Sequence, residues 1–467
     1  MDRSELEQLL FRQKQAFKRE VPGYERRIEA LRKLSSILEE HQEELIHAVA
    51  RDFGWRSHDE TLLLEIYPLQ DEIRHAIKNL KSWMKSRRVS GSWFLYPAKA
   101  FYQYQPKGCV GIMGAWNYQL MLCLSPMIDA LAAGNHILLK PSEIAPHSAG
   151  LLKRLLNANF DEAYVSCVTG DADTARNFSA LGFDHLFFTG STTTGKKVME
   201  AAAPNLTPVT LELGGKSPAI IHPSYSVERA VKRILTGKLF NAGQTCVAPD
   251  YLMCPESLNT QIEEQARNFM QQHFQELLDA GQYTWIINDK HYERLQSLLK
   301  DAEEKGAKLV PLWDSEPEDR QFFPYLIFGV QEDMRIMQEE IFGPLLPVLN
   351  IESLSGWISY VESNPRPLAL YYFDSNKKRI RRMLQETNSG GVTINDTIYH
   401  LAQHNLPFGG NGDSGMGHYH GFDGFETFSK KKAVMKQYSF APTDFLRPPF
   451  TGVKKTLLRK LGSFLKA

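Results

Sequence analysis

Residues 108–140 read GCVGIMGAWNYQLMLCLSPMIDALAAGNHILLK. A short, wholly apolar run (CVGIM) passes through a turn of small and polar residues. A helix-length segment follows, and a second apolar run (HILLK) closes the stretch. Strands this uniformly apolar are buried on both faces, and a helical spacer between two of them suits a right-handed βαβ crossover. The alternation continues through SAGLLKRLLN, AYVSCV, ADTARNFSA, HLFF, GKKVMEAAA and VTLEL. Its reading is an α/β fold, a doubly wound parallel sheet of the dinucleotide-binding kind, which takes its ligand beyond the C-terminal ends of its strands.

Working outward, residues 1–81 and 106–213 form that dinucleotide-binding domain. Ser4 and Glu7 suit a capping box for a first helix ending at Pro22-Gly23, and a long second helix is expected over Tyr24–Ala50. Residues 214–395 read as a second α/β domain, with a polar helix near Gln261–Leu277. Residues 82–105 are polar, aromatic and strand-like, and read as a projecting hairpin. Residues 425–447 hold another strand, free to pair with that hairpin or with a second subunit, so the two segments form a small bridging and oligomerisation element. The tail, residues 448–467, carries five Lys or Arg and no acid. Val453, Leu457, Leu458, Leu461, Phe464 and Leu465 fall on one helical face, a pattern suited to peripheral contact with an anionic membrane or to capping a groove.

Composition excludes several classes. Lys+Arg and Asp+Glu both number 54, so no global field draws nucleic acid. The charged N-terminus lacks a signal-peptide core, and no apolar run is long enough to span a membrane. Five scattered cysteines with no CxxC pair argue against a zinc site or a disulfide framework and for a reducing, cytoplasmic setting. His400 and His404 lie in a loop, and nothing argues for a metal.

Several short stretches carry chemistry. Cys246, in FNAGQTCVAP, stands where helix gives way to loop behind small residues. A catalytic thiolate wants such a place, and its pKa is expected to be lowered there. The other four cysteines read as buried and structural. Glu212 ends a buried strand before two glycines, either as a base with a raised pKa or as half of a structural ion pair. Asn117, in GAWNY, is an amide donor for an oxyanion or plain turn chemistry. Lys140 and Glu143 suit ribose hydroxyls or a solvated loop. Gly190 and Ser191, after HLFF, suit an anion at a helix start or a tight turn. Tyr118 and Leu122 belong to an apolar tunnel or to the core of the next helix.

Together and in order, GAWNY, KPSE, FTGST, LELGGKSP, GQTC, EEIFGPLLPV and PFGGNGDSGMG resemble the aldehyde dehydrogenase superfamily, from about Gly108 to Lys432. NAGQTCVAPDY, VTIND and SGMGHYHGFDGFETFS are most similar to its class 3 branch, which oxidises medium- and long-chain aliphatic or aromatic aldehydes. The resemblance implies a nucleophile at Cys246 that forms a thiohemiacetal and then a thioester. It also implies a deacylating base at Glu212 and an oxyanion site at Asn117 and the Cys246 N–H. Lys140 and Glu143 would take the adenosine ribose of NAD, Gly190 and Ser191 the pyrophosphate, and Glu340 the nicotinamide ribose, with Phe342 against the ring. Residues 214–395 become the catalytic domain. A carboxylate at Glu143 favours NAD over NADP, which the branch also accepts. The branch implies a homodimer. Gln119 stands where the family carries proline. The alternatives are a coenzyme-A-acylating relative, against which Glu212 argues, and a non-catalytic NAD-binding relative, against which Cys246, Glu212 and Asn117 argue together.

Overall fold

In the computed structural model, which describes residues 2–464, the apolar runs of the opening stretch lie side by side at the centre of a six-stranded sheet. Strands Cys109–Met113, His136–Lys140 and His185–Thr189 are buried at all five positions. The order across the sheet is Gly415–Met416, Val209–Glu212, His185–Thr189, Cys109–Met113, His136–Lys140, Val165–Cys167. From Cys109–Met113 the chain first builds to one side and then crosses to the other, so the order reverses between that strand and His185–Thr189. Ligands of open α/β sheets bind at such a switch point. The turns that leave it there are Gly114–Asn117 and Gly190–Ser191. Only Gly415–Met416 is antiparallel, and a two-residue strand among glycines gives no apolar run to read.

A seven-stranded sheet runs Lys308–Pro311, Tyr325–Phe328, Leu345–Asn350, Tyr251–Cys254, Pro218–Ile221, Ala369–Phe373, Gly391–Ile394, parallel except at its first strand. The third sheet joins Arg87–Val89, Lys99–Pro106 and Ser429–Lys436, with Lys99–Pro106 and Ser429–Lys436 antiparallel in register from Lys99↔Lys436 to Pro106↔Ser429. The tail strand thus pairs with the hairpin of its own chain and leaves its other edge unpaired.

Local readings needed correction. The first helix, Arg3–Arg19, is capped by Asp2 with Glu5, two residues earlier than Ser4 with Glu7: Asp2 supplies the β-region backbone that a cap requires. The second helix breaks at His41 into Tyr24–Glu40 and Gln42–Phe53, which apolar periodicity cannot reveal because both halves bury residues against the same core. The helix Tyr67–Trp83 reaches two residues into the segment read as hairpin. The polar helix is Asn259–Phe269, continued by one π-turn to Phe274 and by Gln275–Asp279. The tail forms a helix, Val453–Phe464, with Val453 and Leu457 exposed. The side chains of Leu461 and Phe464, and Leu465 as a whole, lie outside the described residues. Among the described residues no helix is long and apolar enough to cross a membrane.

Candidate active site

The loop of Cys246 is bent into place by its backbone. The helix Val227–Leu239, capped by Ser226, gives way to three successive residues at positive φ: Asn241 (54°), Ala242 (51°) and Gly243 (75°). Left-handed conformation is costly for alanine and persists only where the surroundings impose it. Gly243 is required twice, since a Cβ there would sit 2.3 Å from the Gly343 carbonyl oxygen.

Side-chain amides lock the bend. Gln244 Nε2 donates to the Asn241 and Trp285 carbonyls (3.0 Å each), and its Oε1 accepts from Ile287 N–H (3.0 Å). Asn241 Nδ2 donates to the Asn117 carbonyl (2.8 Å), while Asn117 Nδ2 donates to the Gln244 carbonyl (3.1 Å). The Tyr118 hydroxyl meets Thr245 Oγ1 at 2.7 Å. Asn117, buried at the switch point, is therefore tied to Asn241 and Gln244 of the cysteine loop, and the Asn117 amide keeps a second N–H beyond the one given to Gln244.

Cys246 is half-buried, whereas Cys109, Cys123, Cys167 and Cys254 are buried as expected. Its thiol is not lowered. Burial pushes it up to about 12, helped by the Glu340 and Glu212 carboxyls and opposed by the backbone N–H groups of Cys246 and Val247. The polar approach Gly243-Gln244-Thr245 spends its hydrogen bonds on the bend, so it gives the sulfur no charge.

Glu212 is 3 % exposed, and neither carboxyl oxygen has a hydrogen-bond partner. Among the described residues no cation pairs with it, so the ion-pair reading does not hold. Burial raises its pKa well above the usual carboxyl range. A neutral, unsatisfied carboxyl in a dry interior costs on the order of 1–3 kcal/mol, which a fold retains for a use.

Glu340 comes from the loop after helix Arg335–Gln338, and Lys216 staples that loop. The Lys216 ammonium donates to the Ile336 and Glu339 carbonyls (2.8 and 3.0 Å) and to Asp250 (2.5 Å), whose other oxygen accepts from Ile341 N–H. Burial, then the Asp250 charge, push Glu340 up to about 8 against the Gly215 N–H, Lys216 and Arg294. Gly214 is the floor beneath it: a Cβ there would lie 2.0 Å from Glu340 Oε2. Phe342, also at positive φ (50°), sets its ring 5.3 Å from Trp116 of the GAWN turn.

Lys140 is buried, and its ammonium donates to Glu143 (2.9 Å), which is exposed, so only Glu143 fits the solvated-loop reading. Gly190 N–H bonds the Glu212 carbonyl at 2.9 Å, which places the two strand ends together. A Cβ at Gly190 would meet the Phe188 ring at 2.5 Å, and Ser191 caps the helix Thr192–Ala202. A cleft of about 340 Å³ is lined by Thr192, Gly214, Gly215, Lys216, Glu340 and Asp413, joining the helix start to Glu340. Tyr118 is half-buried beneath the Arg56 guanidinium (5.1 Å from the ring), and Leu122 is buried on helix Met121–Ala133.

Sequence reasoning passed over Asn241 and took Gln244 only as part of a small, polar approach to Cys246, whereas both shape the cysteine loop. It also missed Arg56 and Glu65. Glu65 Oε2 accepts the N–H groups of Leu120 and Met121 (2.8 and 3.1 Å) while Arg56 pairs with its Oε1 (2.7 Å), fixing the start of the helix behind Asn117. Arg56 lies in RSHDE, a run that reads as solvated surface. Gln119 is buried with both amide atoms unpartnered.

The crevice suits a dinucleotide: a helix start at the switch point, a glycine floor, and a buried Glu340 Oε1 with no protein partner. The Cys246 thiol is half-buried and within reach of the Glu340 and Glu212 charges. The sequence profile described as "Aldehyde dehydrogenase family" matches residues 1–434, and the chain belongs to that family. It is similar to the "Probable coniferyl aldehyde dehydrogenase" of Pseudomonas aeruginosa, 48% identical over 460 residues covering 98% of this chain and 96% of that protein. It is 38% identical to "Aldehyde dehydrogenase family 3 member A2" of Pongo abelii, with 88% and 83% covered. The solved structure described as "Substrate bound state of Staphylococcus Aureus AldH" superposes with a TM-score of 0.92 at 37% identity, covering 97% of this chain and 99% of that one. The protein is an NAD(P)-dependent aldehyde dehydrogenase.

Proposed function

We propose that the enzyme oxidises apolar aldehydes, aromatic propenals and medium- to long-chain aliphatic aldehydes, to carboxylic acids through a thioester on Cys246. The names of its relatives support the aromatic preference. The observation that carries the mechanism is Glu212: a buried carboxyl with no partner, whose charge acts on the Cys246 thiol from a different element of the fold.

The Cys246 S–H bond breaks, its proton leaving to water, as Sγ bonds to the aldehyde carbon and the carbonyl π pair moves to the oxygen. The second N–H of Asn117 and the N–H of Cys246 donate to the oxygen as it gains charge; preorganised donors of this kind contribute about 3 kcal/mol each. When bound, NAD(P)⁺ would supply the hydride acceptor that turns the adduct into a thioester. Glu212, protonated at rest, first gives up its proton; as carboxylate it then takes one from water, whose oxygen bonds to the thioester carbon as the carbon–sulfur bond breaks and its electron pair returns to Cys246. Glu340 would hold the nicotinamide ribose, with Phe342 beside the ring; Gly190 and Ser191 would receive the pyrophosphate, and Lys140 and Glu143 the adenosine ribose. The Glu143 carboxylate supports NAD as the preferred form, since a 2′-phosphate would meet a like charge. Tyr118 and Leu122 line the aldehyde's approach.

The same reading takes the enzyme as a cytoplasmic homodimer joined through the free edge of Ser429–Lys436, with the basic tail helix in peripheral contact with membrane. Size-exclusion mass and flotation of intact and tail-truncated protein with anionic vesicles check these two points. The catalytic assignment is tested with NAD, then NADP, against hexanal, decanal, benzaldehyde, a cinnamaldehyde and succinic semialdehyde. Turnover of the apolar aldehydes, absent in Cys246→Ala, is expected; an active Cys246→Ala enzyme refutes it.

A further inference from the structure

The helix behind Asn117, Met121–Ala133, starts without an ordinary cap. Its N-cap position is Leu120, whose side chain accepts no hydrogen bond, and the first N–H groups of a helix need acceptors from outside it. A proline at position 119 would fix its own φ in this turn; Gln119 does not, and neither atom of its amide has a partner. The acceptor is Glu65, whose Oε2 takes the N–H groups of Leu120 (2.8 Å) and Met121 (3.1 Å). The cysteine loop is held in the same way. Asn241, buried and left-handed, donates its backbone N–H to Glu60 Oε1 (2.5 Å), and Glu60 Oε2 accepts the Thr284 hydroxyl.

One short segment therefore reaches both halves of the site. Glu60 lies in helix His58–Thr61 and Glu65 in the π-turn Leu62–Ile66 that continues it. Five residues apart, they would stand about 140° apart around a regular α-helix. A π-turn closes i to i+5 and brings such residues toward one side. Arg56 marks that side: its Nη1 donates to Glu65 Oε1 (2.7 Å), and its Nε lies 3.9 Å from Glu60 Oε2. All three side chains are closed or nearly closed to solvent, and the cation between them offsets the repulsion of two carboxylates. The same guanidinium lies 5.1 Å from the centre of the Tyr118 ring, whose hydroxyl meets Thr245 Oγ1 at 2.7 Å. Asn241 Nδ2 donates to the Asn117 carbonyl, and Asn117 Nδ2 to the Gln244 carbonyl. A closed circuit results, from Glu65 through Leu120, Asn117, Asn241, Glu60 and Arg56 back to Glu65. Every link in it is a hydrogen bond, an ion pair or the short run of chain between Asn117 and Leu120.

We propose that Glu60 and Glu65, joined through Arg56, are positioning residues of the oxyanion site. Glu65 sets the turn that carries the Asn117 amide, and Glu60 sets the loop that carries the Cys246 N–H, so both donors meet the aldehyde oxygen together. The carboxylates act through the backbone they hold. Donors fixed in this way need no reorganisation when charge develops on the oxygen. The inference rests on Asn117 and the Cys246 N–H as the oxyanion donors.

The test uses the full-length enzyme with saturating NAD and a cinnamaldehyde, comparing Glu65→Gln, Glu60→Ala and Glu60→Gln with the parent. Glu65→Gln is also combined with Asn117→Ala. Glu65→Gln keeps the shape but turns an amide NH₂ toward either Arg56 or the two backbone N–H groups. Glu60→Ala leaves the Asn241 N–H unpaired, whereas Glu60→Gln keeps an acceptor for it. Stopped-flow absorbance gives the rate of the first NADH, titration the affinity for NAD, and denaturant unfolding the fraction folded. Glu65→Gln and Glu60→Ala should each form the first NADH about 30-fold more slowly per folded molecule, with NAD affinity unchanged; misplacement by about 1 Å brings losses of this order. Glu60→Gln should recover most of the loss seen in Glu60→Ala. Once Asn117→Ala has removed the donor being positioned, Glu65→Gln should slow the rate by less than about 3-fold more.

A parental rate in Glu65→Gln or in Glu60→Ala overturns the proposal. So does a Glu65→Gln loss that multiplies in full with that of Asn117→Ala, or a Glu60→Ala loss that Glu60→Gln does not relieve, since either marks a role apart from the oxyanion donors. If Glu65→Gln folds poorly, the two Glu60 variants decide. Asn117→Ala run alone separates the two failures. A parental rate in it refutes the oxyanion reading, whereas a slow Asn117→Ala beside parental Glu65 and Glu60 variants refutes only the positioning.

Discussion

Two carboxyls stand at strand ends of the two large sheets and share almost complete burial. Asp374, just beyond Ala369–Phe373, accepts from Arg379 Nε (2.6 Å) and Nη2 (2.7 Å), from Asn376 N–H (2.9 Å) and from the Tyr372 hydroxyl (2.7 Å). Burial pushes its pKa up, but these donors outweigh burial and hold it below the usual range. Glu212, at the end of Val209–Glu212, has no donor at all, and burial alone decides its state. One carboxylate is built into the frame. The other is kept reactive, at the expense of the stability that a partner would add. The difference shows which buried charge of this fold is available for chemistry: both side chains are closed to solvent, but only Asp374 meets a cation.

The comparison breaks most visibly in activity. Glu212→Gln should lower steady-state turnover about 1,000-fold, within the range for general acid–base groups, whereas Asp374→Asn should leave kcat per folded molecule unchanged. Asn117→Ala comes next, with a loss of about 100-fold in kcat and little change in cofactor affinity, measured by NAD titration.

Stability sharpens the contrast in the opposite sense. Asp374→Asn breaks a paired buried charge and should cost about 3 kcal/mol at pH 7 by denaturant unfolding. Because the folded pKa of Asp374 is depressed, its stabilisation is present above the unfolded value of about 3.9 and is lost as pH falls through the folded one. The cost of the substitution should therefore shrink in acid. Glu212 has the reverse sign: its folded pKa is raised, so its penalty is absent below the unfolded value of about 4.3 and grows as pH rises. Glu212→Gln should thus match the parent near pH 4 and exceed it in stability at pH 8. The smallest effect belongs to Gln119, whose amide is buried without partners. Gln119→Leu should stabilise by about 1 kcal/mol, with any change in turnover reporting on the turn behind Asn117.

The fold was legible because its central strands are apolar at every position, as in CVGIM and HILLK. Period and run length suffice for such a sheet. The short strand Gly415–Met416 and the break at His41 were not, since two residues carry no period and a kink need not change which residues are buried. The stretches around Asn117, Glu212 and Cys246 stood out as motifs, but their electrostatics did not. Whether Glu212 has a partner and whether the Cys246 thiol is lowered depend on atoms brought from other parts of the chain, as the Glu340 carboxyl acting on Cys246 illustrates. Arg56 and Glu65 were hidden for the same reason: a charge run looks solvated until the fold closes over it.

The central claim is that Cys246 and Glu212 act in succession, the first to form the thioester and the second to hydrolyse it. The most direct test is stopped-flow NADH formation by Glu212→Gln mixed with NAD and a cinnamaldehyde. The account predicts a rapid burst approaching one NADH per subunit, followed by a steady state about 1,000-fold slower than the parent's. A variant with no burst, its first NADH forming as slowly as all later ones, would contradict it, because Glu212 would then be needed before the hydride leaves.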